Sequence, residues 1–237
     1  MDEERPGFWH QLSVGDQGRL TAVGRIAKYA PGATICRQGE PATFLFVLIG
    51  GWVKVVTVSR DGDEAVLALR GDGDVVGEFA GELGGYRTAT MYALDDVEAV
   101  LVQHRRFSAY LDGCPPAAQA YRKVLVQRIS ETADSLHAQA TTSGPQRLAR
   151  LLITLGQRHG RPPADGASGP EVVIALPLTQ EELADLAQVS RATATRALAD
   201  WRRRAIIATG HKRITIIDPA ALHRLAGPDP QGWRPTP

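Results

Sequence analysis

Residues 178–204 read LTQEELADLAQVSRATATRALADWRRR, a stretch whose side chains suit hydrogen bonding to base edges and phosphates. Thr179 followed by Glu182 is a capping-box pattern: the hydroxyl caps a first-turn N–H while the carboxylate reaches back to the cap. Leu183, Leu186 and Ala187 then recur at helical spacing and give one apolar face. Gln188-Val189 reads as a short turn, and Ser190 as the N-cap of a second helix with Ala194, Leu198 and Trp201 as its buried stripe. That leaves Arg191, Ala192, Thr193, Thr195 and Arg196 toward the start of the second helix and off its core face, the part a recognition helix presents to the major groove. Thr179, Gln180 and Ser190, at the two helix starts, complete the expected DNA-facing set. Taken alone, the pattern also describes a solvated amphipathic helix pair.

The next residues of the chain favour the DNA reading. Arg202-Arg203-Arg204 closes the helix, and Ile206–Ala208 and Ile214–Ile217 then read as two short strands around Thr209–Arg213. Such a hairpin with a basic tip at Lys212 and Arg213 is a wing, and its cations suit phosphate contacts that position a protein without reading sequence.

A second constellation lies at Gly77–Ala89. It holds Gly77, Glu78 and Phe79, a second Gly-Glu pair at Gly81-Glu82, and then Arg87, Thr88 and Ala89. Glycines let backbone N–H groups approach an anion closely, and arginine is the planar fork suited to phosphate. Such a segment can cradle a phosphate; on these residues alone it serves equally well as a tight inter-strand turn.

The chain of 237 residues is 43% hydrophobic and 22% charged, which predicts a globular, core-forming protein of one large or two ordinary domains. Its net charge of +1 hides an asymmetry: residues 141–237 carry 13 Arg or Lys against 8 Asp or Glu, and residues 1–140 carry 14 against 18. A basic C-terminal part beside an acidic N-terminal part fits a DNA reader joined to something that need not touch DNA. No apolar run approaches membrane-spanning length, and the acidic start MDEERPGFWHQL lacks a signal-peptide core, so no membrane association and a cytoplasmic location are expected. Two cysteines are too few for an iron–sulfur cluster, and the six histidines show no ligand spacing, so no metal, haem or cluster is expected. Cys36 reads as a small buried hydrophobe and Cys114 as a loop bystander.

The elements that must position these groups follow from periodicity. Ser13 to Lys28 reads as a short helix; from Tyr29 to Val102 the pattern changes to short strands punctuated by glycine turns, which predicts an antiparallel roll, barrel or sandwich. The strands expected are Thr34–Cys36, Phe44–Ile49, Trp52–Val58, Glu64–Leu69, Thr88–Ala93 and Glu98–Val102. After Phe107 the pattern turns helical, with a long helix from Ala117 to about Thr141 whose narrow apolar seam suits dimerisation or packing on the β-domain. Gly144-Pro145 breaks it, Gln146–His159 forms a further helix, Gly160–Pro170 a loop and Glu171–Leu176 a strand. The Pro-rich tail past Ala226 is expected to be disordered.

In this order, the chain resembles the Crp–Fnr family of transcription regulators over Phe8 to Leu225. The resemblance rests on Pro31-Gly32, Arg37-Gln38-Gly39-Glu40, Gly51, Asp61-Gly62, Gly73–Glu78 and Arg87-Thr88-Ala89, then on Leu178–Ala184 and Ser190–Thr193. It implies an α+β architecture: an N-terminal antiparallel β-roll of the cyclic-nucleotide-binding type over 8–113, a dimerisation helix over 114–142, a winged helix-turn-helix over 143–226 and a tail over 227–237. It further implies a homodimer, a pseudo-palindromic double-stranded DNA site, contact with RNA polymerase and no enzymatic activity. Gly77–Ala89 is similar to the family's phosphate-binding cassette, so Glu78 is expected on a ribose, Arg87 on a cyclic phosphate and Thr88 as its hydroxyl partner. Glu82, too close to Arg87, is expected to be solvated. Val55 and Leu67 are expected as apolar walls.

Two departures bear on specificity. Where the cAMP-responsive activator places adjacent Thr and Ser on the dimer helix, the resemblance puts Ile129 and Ser130 here, and isoleucine offers adenine no hydrogen bond. Arg-Thr-Ala in place of Arg-Ser-Ala occurs in several cGMP-binding relatives, so cAMP is expected first and cGMP is the alternative. On the recognition helix, Arg191 and Arg196 match family arginines while Ala192 replaces a glutamate that accepts from cytosine. A constitutive, nucleotide-independent regulator of the same fold is the rival expectation, and a regulatory module of an enzyme the more distant one.

Overall fold

A computed structural model of the chain describes residues 7–79, 85–162, 170–210 and 212–227. The chain divides into two compact units, Met1–Ala133 and Asp134–Pro237.

The first unit is built on two four-stranded antiparallel sheets. Their strands are β1 (Arg25–Tyr29), β2 (Thr34–Cys36), β3 (Phe44–Gly50), β4 (Val53–Val58), β5 (Glu64–Arg70), β6 (Val75–Val76), β7 (Thr90–Ala93) and β8 (Val97–Gln103). One sheet runs β1-β8-β3-β6 and the other β2-β7-β4-β5. The apolar runs Phe44–Ile49 of β3 and Ala99–Val102 of β8 explain why their sheet is central: successive side chains point to opposite faces, and here both faces are buried. Leu45, Val47, Val100 and Val102 join a cluster with Phe8, Leu20, Phe107 and Ala117. The alternate residues Phe46, Leu48, Ala99 and Leu101 join Val53, Met91, Ala93 and Cys36 of the other sheet.

Helices flank this core: α1 (Val14–Val23), α2 (His104–Asp112) and α3 (Pro115–Thr141). The first ends at Val23, short of the expected boundary at Lys28: Gly24 closes it and Arg25–Tyr29 pairs with β8 from Leu101 to Val97. Gly24 permits the switch because a Cβ there would lie 2.7 Å from Val100 Cγ1 and 2.8 Å from the Leu101 carbonyl. Cys114 is a second correction. Far from being a loop bystander, it is 2% exposed at the α2–α3 junction, and its Sγ donates to the Asp16 carboxylate at 3.1 Å.

The second unit carries α4 (Gly144–His159), α5 (Gln180–Leu186), α6 (Arg191–Arg203) and α7 (Pro219–Ala226), with a four-stranded antiparallel sheet in which the third strand below pairs the fourth, the fourth the second and the second the first. Its strands are β9 (Gly160–Arg161), β10 (Val172–Ile174), β11 (Ile207–Gly210) and β12 (Arg213–Ile216). The expected loop at 160–170 therefore begins as a strand, paired with β10, and 163–169 lie outside the described residues. Ser143 starts α4 with a capping box to Gln146, which places Gly144 and Pro145 inside the first turn. Helix α7, which sequence periodicity did not reveal, is capped by Asp218, whose carboxylate accepts from the Ala221 N–H at 2.8 Å. The tail beyond Gly227 lies outside the described residues. No helix among the described residues is long and apolar enough to cross a membrane.

Candidate ligand pocket and nucleic-acid interface

Within the first unit a cavity of about 250 Å³ opens beside the second sheet. Its apolar wall is Val55, Leu67, Ala68, Val76 and Met91, and its polar wall Gly77, Glu78, Arg70, Arg87, Thr88 and Arg128. Phe79 and Ala89 also line it. The volume lies just under the usual range of small-molecule sites, which suits a ligand no larger than a mononucleotide.

Arg87 is held in place by protein groups at both its backbone and its side chain. Its backbone is fixed by the Arg87 N–H to the Glu40 carbonyl and the Gly39 N–H to the Arg87 carbonyl, both 2.8 Å. Its side chain is 4% exposed, with Nη2 donating to the Phe44 carbonyl at 2.7 Å and Nη1 to that of Gly77 at 3.4 Å. The guanidinium carbon lies 5.0 and 5.1 Å from the ring centroids of Phe44 and Phe46. Burial lowers its pKa from the usual arginine range, yet an arginine stays charged near neutrality. Gly77 has a φ of 81° and no space for a side chain, because a Cβ would collide with Arg87 Nη1. The cassette thus places glycine where only glycine fits, directly against the arginine.

Glu78 is 3% exposed, and its carboxylate accepts from Arg128 Nη1. Arg128 also donates to the Val75 carbonyl and lies 4.0 Å from the Asp74 carboxylate. Burial, and then the neighbouring Arg70 guanidinium, push the Arg128 pKa down to about 10. Arg70 donates to the Leu69 carbonyl at 2.9 Å and lies 4.0 Å from the Glu131 carboxylate. Three guanidiniums thus converge with one buried carboxylate, a set that can hold an anion and a hydroxyl-bearing group side by side.

Eight of the ligand residues expected from sequence line this one cavity: Val55, Leu67, Gly77, Glu78, Phe79, Arg87, Thr88 and Ala89. Ile129 and Ser130 do not; Ile129 is 71% exposed, and the helix residue lining the cavity is Arg128. Adjacent helical positions point about 100° apart, so one residue of offset changes the face entirely. Sequence reasoning missed Arg70 and Arg128. The signal for Arg128 was available: Ala117, Ala120 and Val124 form the buried stripe of α3, and Arg128 continues it at helical spacing. Glu82 lies outside the described residues. Among the described residues no three His, Cys, Asp or Glu side chains gather as a metal site.

The second unit assembles the other constellation. Thr179 caps α5 and shares a capping box with Glu182, so its hydroxyl accepts from the Glu182 N–H at 3.1 Å. Ser190 caps α6, its Oγ accepting from the Thr193 N–H at 3.2 Å and lying 2.9 Å from Thr193 Oγ1. Ala194, Ala197, Leu198 and Trp201 are buried, and the opposite face leaves Arg191, Ala192, Thr195 and Arg196 exposed. Gln180 accepts from Thr195 at 3.3 Å, and Arg191 lies 3.8 Å from the Glu181 carboxylate, so the starts of the two helices are tied to each other. Strands β11 and β12 form the hairpin with Ile207 opposite Ile216 and Gly210 opposite Arg213. Lys212 and Arg213 are exposed at its tip, and His211 lies outside the described residues.

An antiparallel roll with a polar-walled cavity and a separate winged helix-turn-helix define a class: sensory domain plus DNA reader. The model of the cyclic nucleotide-binding domain matches residues 26–113, and that of the Crp-like helix-turn-helix domain residues 146–225. The chain is 30% identical over 228 residues to the CRP-like cAMP-activated global transcriptional regulator of Mycobacterium tuberculosis, covering 95% of this chain and 100% of that one. It is 30% identical over 201 residues to the global nitrogen regulator of Synechococcus elongatus, covering 84% of this chain and 88% of that one. Among solved structures, a CRP-family transcriptional regulator from Thermus thermophilus matches with a TM-score of 0.71 at 26% identity, over 85% of this chain and 97% of that one. FixK2 from Bradyrhizobium japonicum shares the fold, with a TM-score of 0.71 at 20% identity over 87% and 99%. The chain belongs to the Crp–Fnr family: it is a DNA-binding transcription regulator with a cyclic nucleotide-binding domain.

Proposed function

We propose that this protein is a homodimeric, sequence-specific transcription regulator gated by a cyclic nucleotide, cAMP first and cGMP second. The observation that carries the reading is the convergence of Glu78, Arg87 and Thr88 on one cavity with Gly77 packed against the arginine. The fit of a cyclic nucleotide rests on chemistry. Arg87 is a fixed fork for a cyclic phosphate, Thr88 adds a hydroxyl, Glu78 is an acceptor for ribose hydroxyls, and Val55 and Leu67 offer an apolar base wall. The mycobacterial relative's description as cAMP-activated supports putting cAMP first.

Arg128 extends the site. It belongs to α3, whose exposed Val126, Ile129 and Leu136 form the apolar positions assigned to a partner copy. A ligand competing for Glu78 acts on the helix that carries the dimer contact, and it shifts the DNA-binding equilibrium only by its differential affinity for the two states. The dimer sets two recognition helices on successive major grooves of a pseudo-palindromic site, with Arg191 and Arg196 reading guanines, Thr193, Thr195 and Ala192 beside them, and Thr179, Gln180, Ser190, Lys212 and Arg213 on phosphates. RNA polymerase is the further partner. The unit boundaries assigned to these roles are 8–113 for sensing, 114–142 for dimerisation and 143–226 for DNA.

A calorimetric titration of nucleotide-free protein tests the ligand. Saturable binding of cAMP or cGMP, lost in Arg87→Ala, supports the reading. No heat from either nucleotide on a folded, DNA-competent sample moves the constitutive regulator to first place.

A further inference from the structure

The turn of the DNA-reading motif is made by a residue poorly suited to it. Gln188, between α5 and α6, has a φ of 54°. An L-residue in that region is sterically disfavoured, a penalty glycine avoids. On backbone grounds alone glycine serves this turn better, but glycine has no side chain to reach out with, and the glutamine side chain is used. Its Oε1 accepts from Ser135 Oγ at 3.0 Å and from Gln139 Nε2. Ser135 and Gln139 are four residues apart on the last turns of α3 and so share one helix face.

The Gln188 backbone is held from the same side. Its carbonyl accepts from Arg147 Nη2 at 2.9 Å, and Arg147 Nε donates to the Ala187 carbonyl at 3.2 Å. The remaining Arg147 Nη1 donates to the carbonyl of Thr142, just past the end of α3, at 2.7 Å. Gly144, the first residue of α4, packs against the same turn and the start of α6: a Cβ there would meet Thr193 Cγ2 at 2.9 Å and Val189 Cγ1 at 3.1 Å. The end of α3, Arg147 of α4 and the turn before the recognition helix are thus joined by five hydrogen bonds, three of which end on one strained residue. Strain of this kind persists only where the surroundings over-determine it, and is a pointer to function.

We propose that Gln188 is a positioning residue, a latch through which the last turns of α3 set the orientation of α6. Movement of α3 produced at the ligand pocket then reaches the DNA-reading face through Ser135, Gln139 and Gln188. The proposal rests on the ligand-gated reading, and its test separates the two.

The test uses the full chain, fluorescence anisotropy and the tightest-binding duplex that the wild type recovers from a randomised pool. Affinity for that duplex is measured with and without cAMP for the wild type, Gln188→Gly, the pair Ser135→Ala/Gln139→Ala, and all three changes together; calorimetry follows cAMP binding. Gln188→Gly removes the latch while relieving the turn, so it folds; the α3 pair removes the latch without touching the turn. The expected result is that the cAMP-induced gain in DNA affinity falls by at least about twofold in either variant. The triple variant behaves like either one, and cAMP affinity stays at the wild-type value. An unchanged gain in Gln188→Gly, or effects that multiply in the triple variant, overturns the latch. If the wild type itself shows no cAMP gain, the ligand-gated reading fails, and the latch is judged on ligand-free protein. There Ser135→Ala/Gln139→Ala must alter DNA affinity when residue 188 is glutamine and leave it unaltered when it is glycine; any other pattern overturns it.

Discussion

The guanidinium of Arg128, on the long helix α3, is bonded to the carboxylate of Glu78, in the cassette that lines the ligand cavity. Both groups are buried, with side chains 10% and 3% exposed. A buried pair is costly to break from one side, because the charge left behind has no partner. Arg128→Ala is expected to lower the unfolding free energy by about 3–5 kcal/mol. Replacing Glu78 by leucine and Arg128 by methionine together is expected to recover most of that loss. Urea unfolding of Glu78→Leu, Arg128→Met and the double variant checks this; losses in the two single variants that simply add in the double contradict a coupled pair.

Arg87 is expected to act on ligand affinity in a way lysine cannot reproduce. Its planar fork is held by two backbone carbonyls and two aromatic rings, and an ammonium cannot match all of these at once. Arg87→Lys should weaken nucleotide binding by roughly 10-fold or more, the worth of one charge-assisted hydrogen bond. Calorimetry on this variant, alongside far-ultraviolet circular dichroism to show that it folds, reads the effect. Wild-type affinity in the lysine variant counts against a phosphate on Arg87.

Ala192 stands exposed one residue from Arg191 at the start of the recognition helix. An alanine cannot accept from cytosine, so one base pair of each half-site should be weakly specified. Ala192→Glu is expected to sharpen that position by ~1–3 kcal/mol. Sites selected from a random pool by both proteins give the comparison, and strict preference there in the unmutated protein defeats the prediction.

Asp16 ties α1 to the α2–α3 junction. The Ser13 hydroxyl and the Cys114 thiol donate to its carboxylate and hold its pKa below the usual range, helped by Arg19. A lowered carboxylate pKa contributes stability that is fully present above about pH 4 and is lost as pH falls through the lowered value. Asp16→Asn should therefore lower the Tm at pH 7 and narrow its gap from the wild type as the solution is acidified below about pH 4. A gap that stays constant with pH would show that the carboxylate's charge is not what holds this junction.

Much of this was legible in the sequence, for definite reasons. The two helices of the DNA reader carry their caps, Thr179 and Ser190, and their apolar stripes in one continuous stretch, so local rules suffice. The cassette was legible because Gly77, Glu78 and Arg87 lie close together in the chain. Arg128 was legible only in part: its spacing from Val124 places it on the buried stripe of α3, but its partner Glu78 lies fifty residues away and no local pattern pairs the two. Strand β1 escaped notice because its apolar residues continue the helical spacing of α1 across Gly24, and only pairing with β8 decides its state. The buried place of Cys114 is likewise a tertiary fact, set by Asp16, ninety-eight residues away in the chain.

The central claim is that a nucleotide in the first unit controls DNA binding by the second. It is tested most directly by titrating a selected palindromic duplex with the full-length protein, by fluorescence anisotropy, at zero and saturating cAMP. Nucleotide gating predicts that cAMP tightens DNA binding by roughly 5- to 150-fold, the range of ordinary allosteric coupling, and that Arg87→Ala abolishes the change. Equal DNA affinity with and without cAMP or cGMP, in protein shown by calorimetry to bind the nucleotide, would contradict it.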